Sequence, residues 1–306
     1  MPTAITNPAQ VRAINFLKNP NFAVIQGAAS GSLVNSIALP TATLGYSGET
    51  EWWMSCITSN LIPTYAISSL NELVIFTGAL GTTAIYLGQR LESRDTNRLK
   101  NKTITISAEI SNSLSLPVTW EIRRPTTTAD THGTINVSTQ TLVSSGTWNT
   151  TSTATRYNAT IVLPSQVDLG LEVRIYVGSQ TSGTWTIGKL QLEEGTVATN
   201  FSCDNFTIEL AKCRRYFQWV QFNSYFTATA VSQVKEDWQS FSTPLLLLPI
   251  ISTPTVDPAS SAIAVNATSA NFVRITPNGV AAQLVSSASG DSIFVGYRSS
   301  ASAHIL

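Results

Sequence analysis

Trp185-Thr-Ile-Gly-Lys-Leu-Gln-Leu-Glu-Glu-Gly-Thr-Val-Ala-Thr-Asn-Phe-Ser202, followed by Asp204-Asn-Phe-Thr-Ile-Glu-Leu-Ala-Lys-Cys-Arg-Arg-Tyr-Phe217, changes period partway along. Ile187, Leu190 and Leu192 occupy the apolar positions of a strand, which Glu193-Glu194-Gly195 breaks. Phe206, Leu210, Cys213 and Phe217 then recur at helical spacing, with Ile208 nearby. Asp204 is placed to cap this helix, and Arg214-Arg215 suit its C-terminal end. The stretch therefore reads as strand, turn and short helix, with β structure on either side of it.

Upstream, period-two alternation is clear. Ile104, Ile106, Ala108 and Ile110 share one face, and Val118, Trp120 and Ile122 lie opposite Thr119, Glu121 and Arg123. Tyr157, Ala159, Ile161 and Leu163 form a third apolar face. Leu171, Val173, Ile175 and Val177 form a fourth, opposite Glu172, Arg174 and Tyr176. Such alternation marks antiparallel sheets with one face buried and one wet. Many strands of this kind joined by Ser, Thr and Gly turns imply a sandwich. Phe22–Ile25, Leu73–Phe76 and Ala84–Leu87 add short strands, and no helix of useful length is expected before residue 100. Residues 125–153 read as long loops, with a strand near Thr134–Val137. After the helix, Trp219–Phe226, Phe241–Ile251, Ile263–Val265, Phe272–Ile275 and Ile293–Tyr297 supply a second, smaller set of strands.

The resulting expectation is an all-β chain. It comprises a lead at 1–17, a β-sandwich at 18–203, a connecting helix at 204–217 and a smaller C-terminal β-sandwich at 218–306. Val11–Leu17 reads as a short helix or an extended lead, either a tail or a partner-docking segment.

Composition narrows the function. Among 306 residues only 12% are charged, 18 basic against 18 acidic. A nucleic-acid binder would show a basic excess, so none is expected as a partner. The longest apolar run, Leu245–Ile251, is too short to span a bilayer. The start, Met1-Pro-Thr-Ala-Ile-Thr, has neither the basic region nor the apolar core of a secretion signal.

Cys56, Cys203 and Cys213 have no framework spacing and read as unpaired thiols. His132 and His304 have no metal-ligand spacing, so neither metal nor cofactor is expected. There is no G-x-S-x-G elbow, and the adjacent Glu193 and Glu194 point to opposite faces rather than forming an acid pair. An enzyme is not expected. Saccharide binding asks for less: an aromatic ring under the sugar and polar groups around its hydroxyls. Trp148, in the loop-like Ser-Gly-Thr-Trp-Asn-Thr, is one candidate. Trp120 with Glu121 and Arg123, and Tyr176 with Arg174, are candidates for a wet sheet face. Core packing is the plainer reading of each aromatic.

Gln191-Leu-Glu-Glu-Gly195, Ala198-Thr199, Phe201 and Glu209-Leu-Ala-Lys-Cys-Arg-Arg-Tyr-Phe217 resemble the segment closing the jelly-roll module of many tailed-bacteriophage tail-fibre proteins. Asn19-Pro-Asn-Phe22, Trp52-Trp53, Gln89–Glu92 and Leu99–Ile106 are similar to earlier pieces of that family, in the same order. The resemblance covers roughly residues 18–217. It implies a jelly roll, a homotrimer, other virion subunits as partners and a host cell-surface glycan as target, on a virion-borne receptor-binding component. A capsid decoration or head-fibre protein, and a free-standing carbohydrate-binding protein, remain as alternatives.

Overall fold

The computed structural model describes residues 14–26, 33–43, 45–46, 51–68, 72–134, 139–230, 232, 234–242, 244–245, 250–251, 255–256, 263–265, 267–286 and 290–302. Among the described residues, twelve strands precede the connecting helix. They are β1 (Leu33–Ala38), β2 (Gly45–Tyr46), β3 (Trp53–Thr58), β4 (Thr64–Ser68), β5 (Leu73–Thr77), β6 (Thr82–Leu91), β7 (Thr103–Asn112), β8 (Val118–Pro125), β9 (Gln140–Trp148), β10 (Thr155–Val162), β11 (Leu171–Val177) and β12 (Thr184–Glu194).

They form two sheets, ordered β1-β4-β5-β12-β7-β10 and β2-β3-β6-β11-β8-β9. From β5 to β12 the chain changes sheet at every step except the β8–β9 hairpin. This interleaving of two four-stranded sets, β5-β12-β7-β10 over β6-β11-β8-β9, is the jelly roll. Between the sheets lie the four apolar faces read from the sequence, joined by Trp185 stacked on Phe76 with ring centroids 4.7 Å apart.

β12 shows why the closing motif has its composition. Its first half pairs with β5 on one edge, Thr184↔Thr77 to Gly188↔Leu73, and with β7 on the other. Beyond a register shift after Gly188, β5 gives out while β7 continues. The lead takes the vacated edge: Phe16 N–H donates to the Leu192 carbonyl, and Leu190 N–H to the Pro20 carbonyl. Asn15 mimics a strand partner with its side chain, Oδ1 accepting from Leu192 N–H at 3.1 Å and Nδ2 donating to the Leu190 carbonyl at 2.9 Å. Gln89 clamps Lys18 from the other sheet through both backbone groups, each bond 2.7 Å.

At the end of β12, buried Glu193 accepts from Thr199 N–H (2.9 Å), Thr199 Oγ1 (2.7 Å) and Gln191 Nε2 (2.8 Å). The motif residues Gln191, Glu193 and Thr199 are thus one knot that folds the exit loop back. Glu194 faces away and pairs with Lys102 on the surface.

Several elements differ from the sequence reading. Phe22–Ile25 is buried coil rather than a strand. Asn19 and Phe22 adopt positive φ, and the Asn19 amide bonds both backbone groups of Val24. Before residue 100 the described α-helix is a single turn, α1 (Ser93–Thr96), in keeping with the sequence reading. The 140–148 stretch is β9, not loop. The expected strand at 134–137 falls largely outside the described residues, as does most of 241–249.

The connecting helix is α2 (Phe206–Arg214), capped by Asn205 accepting from Ile208 N–H at 3.0 Å. Asp204 instead pairs with Lys212. Its buried face is Glu209 and Cys213, continued by Tyr216, while Phe206 and Ile208 are exposed. The docking surface is polar. Glu209 accepts from Asn19 N–H at 2.7 Å, and Tyr216 O–H donates to Glu92, which also pairs with Lys18 and Arg215. No disulfide links Cys203 and Cys213.

The remaining strands are β13 (Phe217–Ala228), β14 (Val234–Ser240), β15 (Ile250–Ile251), β16 (Thr255–Val256), β17 (Ile263–Val265), β18 (Ala267–Thr276), β19 (Gly279–Ser286) and β20 (Gly290–Ser302). They build two separate sheets. One has β13, β15, β16 and β17 all paired with β20, and the other runs β14-β19-β18.

Asn15→Ala removes two hydrogen bonds to the backbone of β12 and is expected to destabilise the chain by about 1–3 kcal/mol. Ile14→Ala, at an exposed neighbour, stays within about 0.5 kcal/mol. Urea titrations of the two variants check this.

Candidate functional site

Strand register places one set of residues on the outer face of the second sheet. Across β3, β6, β11, β8 and β9, one row is Trp53, Gly88, Arg174, Glu121 and Ser145. The next row is Ser55, Tyr86, Tyr176, Thr119 and Thr147. Arg90, Glu172 and Arg123 make a third, on the far side of the first.

This face grades from closed to open. At the closed end Glu172 is 0% exposed. It accepts from Arg90 Nε at 2.7 Å, Arg174 Nη2 at 2.6 Å and Gln140 Nε2 at 2.9 Å. Burial alone would raise its carboxyl, but Arg174 and Arg90 outweigh that and hold it below the usual carboxylate range. Arg90 also donates to the Gly133 carbonyl, and His132 is buried beside Gly170, so the Asp130–Gly133 segment closes this end.

The middle is stepped. The Trp53 indole lies flat on Gly88, where an added Cβ would stand 2.2 Å from the ring, so only glycine fits. The Arg174 guanidinium sits 5.5 Å from the Trp53 ring centroid. Glu121 accepts from Arg123 Nε at 2.7 Å and lies 3.8 Å from Arg174 Nη1.

At the open end Tyr86 and Tyr176 form a half-buried pair with centroids 5.0 Å apart and planes 36° from parallel. Burial, then the Tyr176 phenol, raises the Tyr86 hydroxyl, so Tyr86 stays a neutral donor at physiological pH. Thr119 and Thr147 border the pair. Two adjoining rings, a guanidinium–carboxylate pair and hydroxyls, all mounted on strands, can stack a flat apolar face and exchange hydrogen bonds with its edge.

Of the sequence candidates, Arg123, Arg174 and Tyr176 share this face. Arg174 is 3% exposed and forms part of the floor rather than a wet surface. Trp120 and Trp148 point into the core instead, 7% and 6% exposed, with centroids 6.3 Å apart. Trp120 lies on Gly146, and Trp148 ends β9 with its indole N–H donating to the Asn158 carbonyl at 3.1 Å. Glu121, named with Arg123 in the sequence, lies on this face as well, whereas sequence reasoning missed Tyr86, Trp53 and Arg90 as members. Tyr86 carried a signal: it alternates with Ile85 and Leu87, and thus falls on the face opposite the core.

No protein-family model matches this chain, and no curated protein does. Among solved structures it is similar to one titled "CBM4 structure and function", at 17% identity and TM-score 0.36, over 47% of this chain and 86% of that one. It is also similar to TmCBM61 in complex with beta-1,4-galactotriose, at 14% identity and TM-score 0.36, over 60% of this chain and all of that one. A third is the tailspike protein 4 enzymatically active domain of bacteriophage CBA120, at 12% and 0.30, over 60% of this chain but 22% of that one. At these values the jelly roll rests on the strand order, not on the likenesses.

His132 gives a pH signature. Burial, with Arg90 and Arg174 adding to it and Glu172 opposing, lowers its pKa from 6.5 to about 4. Between those values the unfolded chain binds the extra proton and the folded one does not, so stability falls as pH drops from 6.5 to 4 and the His132 contribution levels off below. The loss from this group is up to about 3 kcal/mol. His132→Asn is expected to flatten the profile in that window, as read by denaturant titrations at stepped pH.

Proposed function

We propose that the jelly roll binds a saccharide on the outer face of its second sheet. The observation that carries this reading is the half-buried Tyr86–Tyr176 pair, presented beside Glu121 and Arg123 on a floor locked by the buried Arg90–Glu172–Arg174 network. A pyranose has an apolar face for the rings and equatorial hydroxyls for the carboxylate, guanidinium and threonines. The chemistry is binding without bond cleavage.

The biological setting we propose is a tail-fibre or receptor-binding component of a tailed bacteriophage, exposed on the released virion and contacting a host cell-surface glycan. Support comes from the closing motif. Its Gln191, Glu193 and Thr199 form the knot that ends β12, and its Glu209, Cys213 and Tyr216 form the buried face of α2. A homotrimer would multiply weak single-site affinity by holding several sites on one surface. Labelling of intact particles with antibody against this chain tests the setting. Label at the tail supports it, whereas label over the head makes the chain a decoration or head-fibre protein.

Tyr86→Ala and Tyr176→Ala are each expected to weaken glycan binding about tenfold while the chain stays folded. Trp148→Ala empties a core position and costs about 3–5 kcal/mol of stability. Glycan-array binding, with thermal melts as the control, separates the two outcomes.

A further inference from the structure

The three-stranded sheet β14-β19-β18 presents an aromatic that the jelly-roll site does not use. Trp238 is 45% exposed. Trp52, Trp53, Trp120, Trp148 and Trp185 are all buried, so Trp238 is the one tryptophan open to solvent among those whose side chains are described. Its orientation is fixed. One part of the indole rests on Gly279, where an added Cβ would stand 2.7 Å from the ring. The indole N–H donates to Ser240 Oγ at 3.0 Å.

The register builds polar groups around that ring. Trp238 and Arg274 both pair with Ala281 of the central strand, so the three share one face. Ala281 is small and only 3% exposed, and a short ion pair spans this face: Arg274 Nη2 donates to Glu236 Oε2 at 2.6 Å. Glu236 lies two residues before Trp238 on the same strand and face. Its cross-strand partner is Gln283, which is half-buried.

A flat ring held on one side and open on the other, with acceptors and donors at its rim, is a platform for a sugar ring. An apolar protein partner would call for a contiguous aliphatic surface. Here the neighbours of Trp238 are a carboxylate, a guanidinium, an amide and a hydroxyl, with exposed Val234 the remaining large apolar side chain on β14.

We propose that this face is a second saccharide-binding site. It takes a neutral pyranose, stacked on Trp238 with its hydroxyls shared between Glu236 and Arg274, and it is independent of the jelly-roll platform. Two carbohydrate contacts on one chain would give each protomer internal bivalency, so a polysaccharide that reaches both is held more tightly than either site alone can hold it.

The test uses the full chain with 15N-labelled tryptophan indoles. It is titrated with maltotetraose, cellotetraose, chitotetraose and β-1,4-galactotetraose. The Trp238 indole N–H signal is assigned by its loss in Trp238→Phe. The expected result is a saturable shift of that signal with at least one tetrasaccharide. The Tyr86→Ala/Tyr176→Ala chain retains it, and Arg274→Ala weakens it about tenfold. Arg274→Ala leaves the indole in place, so its effect does not depend on a refolded surface. Two results would overturn the proposal. One is that no tetrasaccharide moves the Trp238 signal. The other is that Trp238→Ala changes the sedimentation of the unliganded chain, which would make this face a contact between copies. Loss of jelly-roll binding with retention of the Trp238 shift would sink the first site alone.

Discussion

A central strand has two backbone edges, and both must be hydrogen-bonded when it is buried. β12 is such a strand, and no single neighbour covers its length on one side. β5 serves the first half and the 15–20 segment serves the second. From that need follows much of what surrounds it. Asn15 has a side chain that imitates a peptide. Lys18 is clamped by Gln89. Asn19 closes a turn that puts Phe22 against Trp52. The lead also presents a backbone N–H at Asn19, which Glu209 of α2 takes up. The jelly roll, the lead and the helix are thus joined by one chain of satisfied polar groups. That explains why the buried face of α2 is Glu209, Cys213 and Tyr216 rather than a row of leucines.

The same rule shapes the outer face of the second sheet. Three guanidiniums and two carboxylates there would be costly if left unpaired, because a lone charge away from water is unfavourable by several kcal/mol. Glu172 answers two of the arginines, and Gln140 bridges Glu172 and Arg174, donating to the first and accepting from the second. The result is rigid rather than strongly stabilising, and rigidity is what a shallow binding platform requires. The tyrosine pair inherits fixed positions from strands β6 and β11, so a ligand meets rings that need no reordering.

Much of this was legible from residues 103–194, where apolar side chains alternate and the buried faces of β7, β8, β10 and β11 could be read directly. β9 was hidden because its stretch, Gln-Thr-Leu-Val-Ser-Ser-Gly-Thr-Trp, carries few apolar residues and its Ser and Thr resemble loop composition. β-branched threonine suits an edge strand as well as a loop, and only pairing with β8 decides. β14 was missed for a related reason: Val-Lys-Glu-Asp-Trp-Gln-Ser reads as a solvated segment. The candidate site was half visible. Alternation in β8 and β11 set Glu121, Arg123, Arg174 and Tyr176 opposite the apolar faces, and the pairing of the two strands brings them together. Alternation also set Trp120 on the core face, against its choice as a sugar platform. Whether Arg174 is wet or buried depends on Glu172, two residues before it on β11, and on Trp53, which β3 brings from far away in the sequence.

The central claim is that the tyrosine face of the jelly roll receives a sugar ring. A crystal structure of the full chain grown with an oligosaccharide selected from a glycan array tests it most directly. A pyranose stacked on Tyr86 and Tyr176, with hydroxyls within hydrogen-bond reach of Glu121 or Arg123, is the result expected. A sugar seated only in the loops at either end of the sandwich, with the tyrosine face bare, would contradict it.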